Sequence, residues 1–151
     1  PREYIYGKQM DQGCMPLEKA KQIIDEIYPY LDSIGLTGLG ETFLYPHLAE
    51  IVQYIKQKRK SIQITLSTNA NFVGFTDRII PLLPYLDSVQ FSVDGIGKVY
   101  ETIRPNTDFN IIQNNIKIRR LLHRRTDYII LYQINQSTSG IISPYPPSFL
   151  A

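Results

Sequence analysis

The sequence predicts an α/β fold of about four parallel strands with helices packed outside them. Two observations predict it. Apolar residues at helical spacing alternate with short β-branched runs in the order α, β, α, β, α, β, α, β. The chain has 151 residues, 43% of them hydrophobic and 20% charged, which suits one domain with a real core. Alternation of this kind joins parallel strands by right-handed crossovers. Two architectures fit: an open doubly wound sheet, or part of a (β/α) barrel. A complete eightfold barrel takes about 200 residues or more, so four strands make roughly half of one.

Each element has its own signal. From Met15 to Leu31, apolar residues recur at Leu17, Ala20, Ile24, Ile27 and Leu31, one face of a helix. The short run "SIGLTG" reads as a strand ending in glycine. In "HLAEIVQYIKQKRK", Leu48, Ile51, Val52 and Ile55 form a second helical stripe. "SIQITLS" alternates apolar with polar residues and is rich in β-branched types, so it reads as a strand. A third helix is expected from Thr76 to Leu83, with Thr76 as its N-cap. "LDSVQFSVD" is a strand, "FNIIQNNIKIRRLLH" a helix with Phe109, Ile112 and Ile116 in register, and "DYIILYQIN" a last strand. After Asn135 the apolar period is lost in "QSTSGIISPYPPSFLA". Residues 1–135 are therefore expected to form the folded domain and 136–151 an irregular tail.

Composition narrows the function. The net charge of +2 singles out no partner. No apolar run approaches the ~18 residues of a membrane span. The N-terminus lacks the apolar core of a signal peptide, so a cytoplasmic location is the expectation. A single cysteine, Cys14, excludes an internal disulfide and a multi-cysteine metal site made by this chain alone. With only His47 and His123, a histidine metal cage is not expected either. The basic run Lys117–Arg125 reads as a solvated helix face rather than a nucleic-acid surface, because no aromatic platform interleaves with its arginines. Tyr28, Tyr54 and Tyr100 fall at helical positions and read as packing or surface residues. His47, in the first turn of a helix, reads as a cap or surface group.

Ligands of parallel α/β folds gather at the C-terminal ends of the strands. Here those ends are Gly38-Leu39-Gly40-Glu41-Thr42, Ser67-Thr68-Asn69, Ser92-Val93-Asp94-Gly95 and Asn135. Each alone reads more readily as an ordinary turn, since Gly, Asn and Asp tolerate positive φ. Together, acidic residues at two tips and amides at the other two suit an amine and sugar hydroxyls. The glycine-rich stretch lacks the lysine of a P-loop, and no fingerprint of three spaced glycines is present.

In those same residues the sequence resembles the radical S-adenosylmethionine enzymes, particularly the molybdenum-cofactor and peptide-modifying (SPASM-like) branch. "GLGETFLYPHLAEIVQYIK" is similar to the family's Gly-Gly-Glu-Pro segment and following helix. "ITLSTNA" resembles its Thr-Asn-Gly strand end. "LDSVQFSVDGIGKVYETIRPNTDFNIIQNNIK" resembles its Ser-x-Asp strand, Tyr-Glu-x-x-Arg turn and next helix. The match runs from about Met15 to Asn135. It implies a partial TIM-like (β/α) barrel. It also implies a [4Fe–4S] cluster that reduces S-adenosylmethionine to a 5′-deoxyadenosyl radical, which takes a hydrogen from a peptide or small-molecule substrate. Carried over, Gly38, Gly40 and Glu41 would hold the methionine amino group. Thr68, Asn69, Ser92 and Asp94 would line the ribose and methionine. Arg104 would approach the methionine carboxylate, and Asn135 is the match at the fourth tip. Three departures stand out. The family's three-cysteine cluster loop has no counterpart, so Cys14 is read as a bystander and the chain as starting after that loop. Thr42 replaces the usual proline, and Ala70 the usual glycine. The resemblance leaves two functions open: the cofactor-binding part of a longer enzyme, or a non-catalytic relative.

Overall fold

The computed structural model describes residues 13–37 and 40–117, and the backbone of 127–131. Gly38, Asn135, Arg119 to Arg125 of the basic run and the 136–151 tail lie outside the described residues. Helix α1 is Leu17–Ile27, followed by a 3-10 turn at Tyr28–Tyr30. Strand β1 is Ser33–Leu36, and a second 3-10 turn, Thr42–Leu44, leads to α2 at Leu48–Lys58. Strand β2 is Gln63–Thr68, α3 is Phe75–Ile79 with a 3-10 turn at Ile80–Leu82, and β3 is Ser88–Ser92. Helices α4 (Lys98–Ile103) and α5 (Phe109–Ile116) precede β4, Asp127–Leu131.

The described strands form one parallel sheet in the order β1-β2-β3-β4. Sequential order without reversal means that these strands contain no topological switch point of the doubly wound kind. Alternation along the strands divides the sheet into two unlike faces. Ile64, Leu66, Val89 and Phe91 are fully buried and join one core with Ile24, Ile51, Val52, Ile55, Ile79 and Ile112 from the helices. The opposite face carries Thr65, Ser67, Ser88, Gln90 and Ser92, all half-buried, beside the exposed Gly35. There the Ser67 hydroxyl donates to Gln90 Oε1 at 3.0 Å.

Two helical expectations need correction. The first helix ends at Ile27 rather than Leu31, because Pro29 lacks the N–H that would continue the ladder and the chain tightens to 3-10 geometry. The third helix is cut at Ile79 by Pro81 in the same way, and Thr76 lies inside it. Its N-cap is Gly74, at φ +81°, a left-handed conformation that favours glycine. Helix α4 was expected only through the helical position read for Tyr100: Val99 and Ile103 are exposed, so its six residues carry no apolar stripe. Tyr100 is its single buried residue.

The N-terminal ends of the strands are pinned by polar contacts. Lys56 Nζ meets Asp87 Oδ2 and the Ile62 carbonyl, each at 2.7 Å, and the same carboxylate oxygen accepts from Ile64 N–H at 2.8 Å. Arg59 reaches Asp32 at 3.4 Å, just before β1. Asp87 thereby ties the start of β3 to β2. Replacing it with alanine leaves Lys56, 16% exposed, without its carboxylate. The expected loss is about 1–3 kcal/mol of stability in urea unfolding. An unchanged midpoint would contradict this role for Asp87.

Candidate functional site

At the opposite end of the sheet the sequence-predicted residues meet in two groups. The first centres on Glu41, the cap of the Thr42–Leu44 turn. Glu41 Oε1 accepts from Phe43 N–H at 3.2 Å and from the Thr68 hydroxyl at 2.7 Å, and Oε2 accepts from Asn69 N–H at 2.9 Å. The tip of β1 is thus tied to the tip of β2 by one carboxylate. Thr68 is buried on the core side and uses both its hydrogen and a lone pair, the latter accepting from Ala70 N–H at 2.9 Å. Asn69 Oδ1 closes a local turn by accepting from Asn71 N–H at 2.9 Å.

The second group is Asp94 and Arg104. Arg104 Nε donates to Asp94 Oδ2, and the carboxylate is only 10% exposed. Gly95 lets α4 approach this tip closely: a Cβ there would meet Val99 Cγ1 at 2.7 Å. Ser92 sits on the half-buried polar face at the end of β3. Gly40 is exposed beside Glu41.

Tyr100 joins the two groups. Its ring is fully buried against Phe109, its hydroxyl accepts from Asn71 Nδ2 at 3.4 Å, and Arg104 lies 6.0 Å from the ring centre. Burial pushes its phenol above the ordinary tyrosine range. The Asn71 hydrogen bond and the Arg104 charge oppose that shift, while the charges of Asp94 and Glu41 add to it. A phenol raised in the folded state contributes stability that is complete below the unfolded pKa of about 10 and is lost as pH rises through the folded value. Tyr100→Phe removes that ionisation. Its alkaline loss of stability, compared between about pH 8 and pH 11, is expected to be smaller than that of the unmodified chain. Equal slopes in denaturation curves would exclude the effect.

Several residues outside the sequence expectation complete the rim. The Thr42 hydroxyl points at two strand-end carbonyls, Leu36 O at 3.2 Å and Ser67 O at 3.0 Å, contacts that a proline there cannot make. Asn71 Nδ2 also donates to Asp108 O at 2.9 Å. Glu101 accepts from Phe109 N–H at 3.1 Å and caps α5 together with Asp108. Asn115 bonds the loop after β2. A signal for Asn115 was present: an amide inside an apolar helix is disfavoured without a partner to bind. His47 bonds Glu50 at 2.9 Å at the surface, and Cys14 is exposed. Among the described residues no three His, Cys, Asp or Glu side chains converge on a metal position, and no helix is long and apolar enough to cross a membrane.

Beneath the first group lies an aromatic cluster. Phe43 packs on Phe75 at 5.1 Å and on Phe72 at 5.9 Å, and Phe75 continues to Phe91 at 5.9 Å. Arg78 donates to the Phe43 carbonyl at 2.9 Å. The turn that carries Glu41 therefore rests on α3.

These features define a parallel α/β protein with an acid- and amide-lined rim at its strand tips. No family model matches the chain. Among curated proteins it is similar to a UPF0026 protein of Helicobacter pylori (strain ATCC 700392 / 26695), at 32% identity over 117 residues. That alignment covers 74% of this chain and 38% of the relative. A UPF0026 protein from strain J99 is 32% identical over 74 residues, 48% of this chain and 24% of the relative. The chain thus spans well under half the length of these relatives. Among solved structures it resembles native anSMEcpe with bound AdoMet (TM-score 0.60, 16% identity, covering 82% of this chain and 36% of that one). The same protein with bound AdoMet and Cp18Cys peptide gives a TM-score of 0.61 at 18% identity, over 85% of this chain and 37% of that one. At such identity the likeness is one of fold.

Proposed function

We propose that the chain is the S-adenosylmethionine-binding portion of a radical S-adenosylmethionine enzyme, built as a partial (β/α) barrel. The observation that carries the reading is the Glu41 carboxylate, held at the rim by Thr68 and Asn69. A carboxylate offers about four acceptor positions. Three are used, and the fourth, on Oε2, suits an ammonium group. Glu41, flanked by Gly40 and Gly38, takes the methionine ammonium. Asn69, Ser92 and Asp94, backed by Thr68, face the ribose and methionine. Arg104 spends Nε on Asp94, and its Nη donors suit the methionine carboxylate. Asn135 is assigned to the fourth tip. The sequential strand order, with the described helices packed on the apolar face, supports the barrel reading, with the polar face inward. That face offers hydroxyls and amides to a peptide or small-molecule substrate. The shared fold with anSMEcpe, one structure of which holds AdoMet and one AdoMet and a peptide, supports S-adenosylmethionine binding in general terms.

Bound S-adenosylmethionine supplies an activated sulfonium. The chain's residues bind and orient it. They do not fit a [4Fe–4S] cluster: such a cluster takes several thiolates, and the sequence has one cysteine. That single thiol favours a second reading, a module that binds S-adenosylmethionine without cleaving it. Calorimetric titration of the full chain with S-adenosylmethionine tests the primary proposal. Saturable one-to-one binding is expected, and no binding at millimolar ligand would overturn both readings. Reconstitution with iron and sulfide bears on the second reading alone, because neither reading expects a cluster on a chain with one cysteine. A stoichiometric cluster absorbance excludes the non-catalytic module.

A further inference from the structure

Asn115 lies near the end of α5, 45 and 43 residues from Ala70 and Phe72, yet both hydrogens of its side-chain amide go to the loop that these residues form after β2. Nδ2 donates to Ala70 O at 2.8 Å and to Phe72 O at 3.0 Å. Between Thr68 and Phe72 the chain makes an unusual turn. Ala70 is fully buried at φ +48°, in the left-handed region that a residue with a Cβ disfavours. Two donors lie immediately before the bond that takes this conformation. Asn69 N–H meets Glu41 Oε2, and Ala70 N–H meets the Thr68 oxygen whose own hydrogen goes to Glu41 Oε1. An alanine does not adopt this backbone by preference, and two bonds within the turn, Ala70 N–H to Thr68 Oγ1 and Asn71 N–H to Asn69 Oδ1, are joined by two from outside it. The carbonyls that bracket the turn are the ones Asn115 grips.

We infer that Asn115 is a positioning residue for the rim carboxylate: it holds Ala70 in the left-handed conformation and thereby keeps the Asn69 amide on Glu41. The residue acts through the backbone and touches no ligand. A glycine at position 70 adopts the same conformation freely and depends less on this grip.

Hydrogen exchange of the ligand-free full chain, followed by NMR, reads the Asn69 amide directly. Asn115→Ala is expected to speed exchange at Asn69 by about tenfold or more while the amides of Leu66 and Phe91 keep their rates. Adding Ala70→Gly to that variant restores part of the protection. Asn114→Ala, on the exposed neighbour, leaves Asn69 unchanged. Should Asn115→Ala fail to fold, Asn115→Asp keeps the volume and replaces the donor with an acceptor, and the same Asn69 acceleration is expected. Unchanged exchange at Asn69 overturns the inference. An equal rise at Leu66 and Phe91 also overturns it, because Asn115 then serves only global stability. Its relevance to a cofactor rests on the proposed function, and a parallel S-adenosylmethionine titration keeps the two apart. An unmodified chain that binds no S-adenosylmethionine but shows the Asn69 pattern overturns the function and leaves the positioning role standing.

Discussion

Replacing Glu41 with alanine is expected to weaken S-adenosylmethionine binding by about tenfold to a hundredfold, the equivalent of one charge-assisted hydrogen bond of about 1.5–3 kcal/mol. Two effects combine. The ammonium loses its counter-charge, and the Asn69 amide and Thr68 hydroxyl lose their acceptor, so the two tips are no longer tied. Glu41→Gln separates them. It keeps the volume and one acceptor oxygen but removes the charge. Its side-chain NH2 also has to face the donors that the carboxylate accepts from. Its binding loss is expected to approach that of alanine, with a smaller loss of thermal stability. Calorimetry at fixed ionic strength measures the first quantity and thermal unfolding the second. Unaltered affinity in Glu41→Ala would remove Glu41 from the site.

Phe75→Ala is expected to give a large loss of stability, about 3–5 kcal/mol. The ring is fully buried and packs against Phe43, Phe72 and Phe91 at 5.1 to 5.9 Å. Its removal opens a cavity directly beneath the turn that carries Glu41. For a domain of this size each kcal/mol moves the melting temperature by about 2–4 °C, so a drop of roughly 6–20 °C is expected. Phe75→Leu keeps most of the volume and should cost less than half as much. A drop under about 2 °C for the alanine variant would show that the cluster relaxes without cost.

The sequence made the layout of the sheet legible. Ile62, Ile64 and Leu66 alternate with polar residues as a strand must, and Leu48, Ile51, Val52 and Ile55 repeat as a helix must. Turn chemistry was less legible. Pro29 and Pro81 each convert the end of a helix into a 3-10 turn, a local effect that an apolar stripe running past them conceals. Helix α4 was marked only by Tyr100, because its exposed Val99 and Ile103 give no periodic face. At the rim, Glu41 stood out by its place after a strand. Its engagement with Asn69, 28 residues away, depends on strand register and cannot be read from local spacing. The same holds for Thr42, whose hydroxyl bridges carbonyls of two neighbouring strands. Ala70 carried a partial clue. A position where glycine is usual points to a positive φ, and the structure has one there.

The polar contacts at the two ends of the sheet are of different kinds. At the foot, one short stretch from Lys56 to Arg59 reaches the residues that precede β1 and β3, Asp32 and Asp87. At the rim, neutral amides and hydroxyls of Thr42, Thr68, Asn69 and Asn71 surround a few acidic groups. Strands are therefore fastened at both ends, by Asp32 and Asp87 at the foot and by Glu41 and Thr42 at the rim where ligand contacts would be made. A change at the foot leaves the ligand-facing groups untouched, whereas a change at Glu41 or Thr42 alters the binding rim and the tie between its strands together.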